Sequence, residues 1–275
     1  MDTRPIGVFD SGVGGLTTVR ELHRILPGED IVYFGDTGRV PYGSRSRQTI
    51  VKFALQDMRY LKTFDIKALI IACGTVSSNV TDKDIADTGL DIPCLGVVTP
   101  STRAACAVSR HGRIGVMATQ ATIRSGAYGR ALRAIQPAAT LIGHAAPLLV
   151  PLVENGMTQP DNTITRLALQ LYLEPFIAEQ VDTLILGCTH YPLLYDIIGD
   201  MLQYKVELVD SGAAAARDLQ ILLTEKDMLS GRELGETRYR VTDSVEHFTS
   251  VAHNFLFKDI ERQCEYIDID FISAL

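Results

Sequence analysis

Pro5-Ile6-Gly7-Val8-Phe9-Asp10-Ser11-Gly12-Val13-Gly14-Gly15-Leu16-Thr17 begins as a solid apolar run, passes through a glycine-rich turn and enters a segment where Leu16, Val19, Leu22 and Leu26 share one helical face. A switch from buried-strand pattern to a period near 3.6 across a short turn is the start of a strand–helix–strand unit. The same alternation continues along the chain. Further strands are expected at Ile31 to Phe34, Ala68 to Ala72, Leu95 to Val98, Ile114 to Met117, Thr140 to Ile142, Thr183 to Leu186, Val206 to Val209 and Tyr239 to Val241. Strands alternating with helices give mainly parallel sheets with helical crossovers, so the fold class is α/β and doubly wound.

The opening stretch has a counterpart in Arg113-Ile114-Gly115-Val116-Met117-Ala118-Thr119, which also leads into a helix and another strand. Two thiols follow the same plan. Ala72-Cys73-Gly74-Thr75 comes after the run Ala68 to Ile71, and Gly187-Cys188-Thr189-His190 after Leu184 to Leu186. Strand ends of this kind build the ligand crevice of an α/β sheet. The expectation is two pseudo-symmetric units facing one another across a cleft, each contributing one cysteine. Val209-Asp210-Ser211-Gly212 echoes Asp10-Ser11-Gly12 and suggests that the tail returns to the first unit. The expected division is residues 1–98 plus 208–275 for one unit and 99–207 for the other.

The bounds favour a globular protein with a small molecule as its partner. A chain of 275 residues that is 46% apolar can bury a large core. No apolar stretch approaches the roughly 18 residues that span a bilayer. The start Met1-Asp2-Thr3-Arg4-Pro5-Ile6 lacks the apolar centre of a signal peptide, so a cytoplasmic location without membrane partners is expected. The five cysteines are odd in number and widely spread, which reads as reduced thiols. A net charge of −7 with scattered basic residues argues against nucleic acid as a partner. An anionic substrate would be held by backbone N–H groups and hydroxyls instead.

The glycine-rich turn is not a nucleotide loop, because Thr17 stands where G-x-G-x-x-G places its last glycine and no Gly-Lys-Ser/Thr follows. It leaves the Asp10 carboxylate and the Ser11 hydroxyl at the sheet edge where Cys73 also lies. Cys73 precedes the helix-starting residues Thr75, Ser77, Ser78 and Asn79, and Cys188 precedes Thr189 and Pro192. A helix N-terminus is expected to acidify such a thiol. Cys94, Cys106 and Cys264 read as packing residues. His190 is poorly spaced from Cys188 for zinc, and C-x-x-C and H-x-x-x-H are missing, so no metal and no dithiol redox role are expected. A histidine beside a thiol can instead tune or relay its proton.

In order and over nearly the full length, Asp10 to Thr17, Asp36-Thr37 with Pro41-Tyr42-Gly43, Ala72-Cys73 with Thr75, and Leu186-Gly187-Cys188-Thr189-His190-Tyr191-Pro192 resemble the signature set of the glutamate racemases, within the aspartate/glutamate racemase family. The resemblance implies two doubly wound domains with the active site between them. It implies interconversion of L- and D-glutamate without pyridoxal phosphate or another cofactor, supplying D-glutamate for peptidoglycan. Cys73 and Cys188 match the two catalytic bases, the first acting on the D-enantiomer and the second on the L-enantiomer. Asp10 and His190 match the groups that assist them, and Glu154 resembles an auxiliary acidic residue. Asp10, Ser11, Pro41, Tyr42, Gly43, Thr75, Thr189 and His190 match substrate contacts, and Thr119 and Thr122 resemble further contacts to a substrate carboxylate. The family usually has Asn after the first cysteine, and here Gly74 offers only its backbone N–H. The alternatives are a racemase of another acidic or modified amino acid, or a non-catalytic ligand-binding or inhibitory protein on the same fold. A homodimer is the expected assembly.

Overall fold

In the computed structural model, which describes residues 1–274, the apolar runs form strands β1 (Ile6–Asp10), β2 (Ile31–Gly35), β3 (Ala68–Ile71), β4 (Cys94–Gly96), β5 (Arg113–Ala118), β6 (Thr140–Ala145), β7 (Thr183–Leu186), β8 (Glu207–Asp210), β9 (Thr237–Val241) and β10 (Cys264–Tyr266). Every residue of β1, β2, β3 and β7 is buried. Their runs, mostly of Ile, Val, Leu and aromatic residues, are what a parallel sheet covered by helices on both faces requires.

The strands make two sheets, ordered β10-β9-β2-β1-β3-β4 and β6-β5-β7-β8, with parallel pairing throughout the described residues. The repeat read in the sequence is visible in this order, since β2-β1-β3-β4 and β6-β5-β7-β8 are the same arrangement. Register agrees as well: Ile6 and Phe9 oppose Ala68 and Ile71, while Ile114 and Met117 oppose Thr183 and Leu186. In each sheet the connections leave the first strand toward opposite edges, so β1 and β3 in one, and β5 and β7 in the other, flank the switch point where an α/β sheet opens a crevice. Cys73 follows β3, and Cys188 follows β7.

The two lobes share one core. Leu16 and Leu22 from the helix Leu16–Ile25, Met117, Leu149, Phe176, Leu186 and Tyr191 from the second lobe, and Leu219 from the helix Ser211–Glu225 are buried in a single apolar cluster. The helix Ser211–Glu225 follows β8 yet packs on Leu16–Ile25 and on the helix Val98–Val108. The second sheet thus runs through Asp210, past residue 208, where the tail is expected to return to the first unit. The Asp210 carboxylate accepts the Gly212 and Ala213 N–H groups, as Asp10 accepts that of Gly12, so the sequence echo is a shared turn.

Three local features differ from expectation. β4 stops at Gly96, because a helix begins at Val98 with Pro100 in its first turn, where its missing N–H costs nothing. β10 is a short edge strand with one buried residue, too brief to leave a pattern in the sequence. After Cys188 the chain forms a 3-10 turn, Tyr191–Leu194, before the helix Tyr195–Met201, with Pro192 at the turn's start. No helix among the described residues is long and apolar enough to cross a membrane.

Candidate active site

The cleft brings one thiol from each lobe into a single electrostatic neighbourhood. Cys73 caps the helix Gly74–Asn79, and its Sγ lies 3.2 Å from the Ser11 hydroxyl. Cys188 Sγ lies 3.7 Å from His190 Nδ1, and the other ring nitrogen, Nε2, is 2.9 Å from Glu154 Oε1 at the end of the helix Leu149–Glu154. Both thiols are buried, whereas the Glu154 side chain is 41% exposed, so Cys188, His190 and Glu154 form a path from the interior to solvent.

The turns that carry the thiols touch. An ideal Cβ on Gly74 would sit 2.2 Å from the Gly187 carbonyl oxygen and 4.0 Å from Cys188 Cα. A Cβ on Gly14 would meet Thr189 Oγ1 at 2.2 Å and the His190 ring at 2.5 Å. Only a hydrogen fits at either point. Gly14 of the opening turn therefore serves close approach of the second lobe. Thr17, where a nucleotide loop would have glycine, places its hydroxyl 3.0 Å from the carbonyl oxygens of both Thr189 and Gly14, so its one proton is shared between the lobes. Sequence reasoning noted Thr17 only as a missing glycine, and no local signal could reveal a partner so distant in the chain.

Hydroxyls bridge the cleft on the other side. Thr75 Oγ1 lies 2.9 Å from Thr119 Oγ1, which lies 3.0 Å from Thr122 Oγ1. Thr119 also caps the helix Gln120–Ser125 by accepting the Thr122 N–H. The Gly43 carbonyl accepts the Ala121 N–H at 2.9 Å, which joins the loop after β2 to the second lobe. Two expected contacts are placed differently. The Tyr42 hydroxyl faces Asp36 and Asp57 inside the first lobe, leaving the backbone at 42 and 43 toward the cleft. Pro41 is exposed, and its carbonyl accepts from Arg45.

The charges are unequal on the two sides. Burial, then the nearby Asp10 carboxylate, pushes the Cys73 thiol up to about 12, against the lowering by the Ser11 hydroxyl and the Val76 N–H. This reverses the acidification expected at a helix start. The helix behind Cys73 is only six residues long, and its end offers less than burial removes. Asp10 is itself raised by burial, opposed by the charge of His190 and by the N–H groups of Gly12 and Gly15. Its Oδ1 is buried without a hydrogen-bond partner among the described residues, an acceptor available to a ligand cation. For His190, burial lowers the pKa, but the bonds to Cys188 and Glu154 prevail and bring it to about 10.

That shift gives a pH prediction. A protonated imidazole favoured in the folded state stabilises fully below the unfolded value of 6.5, and the contribution is gone once pH passes about 10. Urea midpoints of wild type and His190→Asn should therefore converge as pH rises through this window. A gap that stays constant or widens contradicts the assigned charge.

A family described as Asp/Glu/hydantoin racemase matches residues 6–219 of this chain. A glutamate racemase of Geobacter metallireducens is 43% identical over 257 residues, 93% of this chain and 94% of the relative. Among solved structures, glutamate racemase isoform RacE1 of Bacillus anthracis superposes with a TM-score of 0.92 at 37% identity, covering 98% of this chain and 99% of that one. The glutamate racemase of Francisella tularensis in complex with D-glutamate gives 0.90 at 38% identity, covering 98% and 100%.

Proposed function

The chain belongs to the Asp/Glu/hydantoin racemase family, and we propose that it interconverts L- and D-glutamate by exchanging the α-proton between Cys73 and Cys188. The observation that carries this reading is the convergence of two buried thiols, one from each lobe, on turns in backbone contact. Inversion requires a proton to leave one face of the α-carbon and another to arrive on the opposite face. One fixed group serves one face, and two thiols on opposing turns serve both.

From L-glutamate, Cys188 as thiolate takes the α-proton while the Cys73 thiol gives one. His190 supplies a counter-charge to the Cys188 sulfur and, with Glu154, a route for its proton. In the reverse direction Cys73 is the base. A substrate ammonium group beside Asp10 brings the positive charge that draws the Cys73 thiol down from its raised value, with Ser11 donating to the thiolate. Carbanion character at the α-carbon is met by hydroxyls of Thr75, Thr119 and Thr122 and by backbone N–H groups around the substrate carboxylate. This scheme uses no pyridoxal phosphate. Because both sulfurs are buried, substrate enters as the turns separate and reacts once they close.

The same proposal includes a cytoplasmic enzyme supplying D-glutamate for peptidoglycan and an assembly of two copies. Its two units are residues 1–98 with the tail and residues from 99 onward, with the second crossing moved to follow Asp210. The test is circular dichroism of purified protein with L- or D-glutamate and no added cofactor, with aspartate and glutamine alongside. Glutamate should racemise from either side, and in deuterated buffer the product should carry α-deuterium. Product that keeps its protium, or faster turnover of another amino acid, overturns the reading.

A further inference from the structure

The loop that carries Tyr42 and Gly43 to the cleft is anchored by a buried cluster of two carboxylates, one phenol and one guanidinium. Asp36 at the loop's start and Asp57 on the helix Arg47–Lys62 both have fully buried carboxylates. Among the described residues a single cation, Arg39, serves them: its Nε donates to Asp36 Oδ2 at 2.6 Å and its Nη2 to Asp57 Oδ1 at 2.5 Å, while its Nη1 donates to Gln56 at 2.7 Å. The guanidinium also lies 4.4 Å from the centre of the Phe53 ring.

The donors are divided unevenly. Asp36 Oδ1 accepts from the Thr242 hydroxyl at 2.9 Å, and Asp36 Oδ2 accepts from Arg39 and Tyr42. Among the described residues Asp57 Oδ2 has only the Tyr42 oxygen, 3.1 Å away. A phenol has one proton, and the closer partner, Asp36, takes it. Two ionised carboxylates would then leave Asp57 Oδ2 against a phenol lone pair, in a buried cluster of net charge −1. A proton on Asp57 removes both faults, because Asp57 donates to Tyr42, Tyr42 donates to Asp36, and the cluster is neutral. Asp36, Arg39 and Tyr42 are the titratable groups that face Asp57. Burial and then the Asp36 charge push Asp57 well above the usual carboxylate range.

We infer that Asp57 is a positioning residue for the substrate loop, acting as a neutral acid whose O–H to Tyr42 fixes the segment from Asp36 to Gly43. The consequence reaches the other lobe through the bond from Ala121 N–H to the Gly43 carbonyl, beside Thr119 and Thr122. This inference rests on the reading of the cleft as a glutamate site.

The experiment compares wild type, Asp57→Asn and Asp57→Leu. Asparagine reproduces a neutral acid, accepting from Arg39 and donating to Tyr42, so its KM and kcat should stay near wild type. Leucine removes both bonds and should raise KM for glutamate about tenfold or more through loop misplacement, with kcat less affected. Independently of turnover, the infrared difference between wild type and Asp57→Asn at neutral pH should contain the C=O stretch of a protonated carboxylic acid. If Asp57→Leu does not fold, the asparagine kinetics and this band decide the matter. The inference is overturned by a difference spectrum showing only carboxylate bands, by Asp57→Asn losing as much as Asp57→Leu, or by an unchanged KM in Asp57→Leu. A folded wild type that does not racemise glutamate defeats the proposed function instead, and the infrared result stands apart from it.

Discussion

Cys73→Ala and Cys188→Ala should each reduce glutamate racemisation by about 10³-fold or more in both directions, because each variant lacks the acid or base on one face of the α-carbon. Both positions are buried, and removing a sulfur leaves a small cavity while the sheets remain intact. Far-ultraviolet circular dichroism and urea midpoints should therefore stay close to wild type, which separates a chemical defect from unfolding. The two variants should differ in what survives. A single remaining thiol can take the α-proton from the face it serves and return one to the same face. Each variant should thus wash solvent deuterium into one enantiomer without inverting it. Following the family resemblance, Cys73→Ala should exchange L-glutamate and Cys188→Ala should exchange D-glutamate. Substantial racemisation in either variant would remove that cysteine from the mechanism.

Gly74 gives the second large effect, in a direction opposite to the one that comparison with the family suggests. The resemblance implies Asn after the first cysteine, and an amide there would add a hydrogen bond to substrate. In this chain the Cβ comes first: at 2.2 Å it overlaps the Gly187 carbonyl oxygen, a backbone atom that cannot turn aside. Gly74→Asn and Gly74→Ala must both push the two thiol-bearing turns apart. Displacement by about 1 Å in a site that passes a proton between fixed groups costs on the order of 10²-fold in rate. Both variants should fall in kcat/KM by about that factor, with Ala no better than Asn. A gain of activity in Gly74→Asn would mean that the lobes have slack here and that the missing amide is the true defect.

Much of this molecule is written locally in its sequence. Runs such as Ile6 to Phe9 and Thr183 to Leu186 are strands because unbroken apolar residues must be covered on both faces, and the repeated strand–turn–helix pattern fixes two similar parallel sheets. Cys73 and Cys188 could be singled out because each stands where such a strand ends. Other properties are sums over residues far apart in the chain. Thr17 meets Thr189, Asp36 shares Arg39 with Asp57 and meets Thr242, and the room at Gly74 is set by Gly187, none of which leaves a periodic or spacing signal. The reversal at Cys73 has the same origin. The sequence shows a thiol at a helix start, which lowers its pKa, but desolvation by burial and the charge of Asp10 exist only after folding and are larger. Sequence determined which groups stand at the strand ends, because secondary structure follows from neighbours along the chain. Tertiary structure alone decided their distances and protonation, because burial and Coulomb interactions depend on where the whole chain goes.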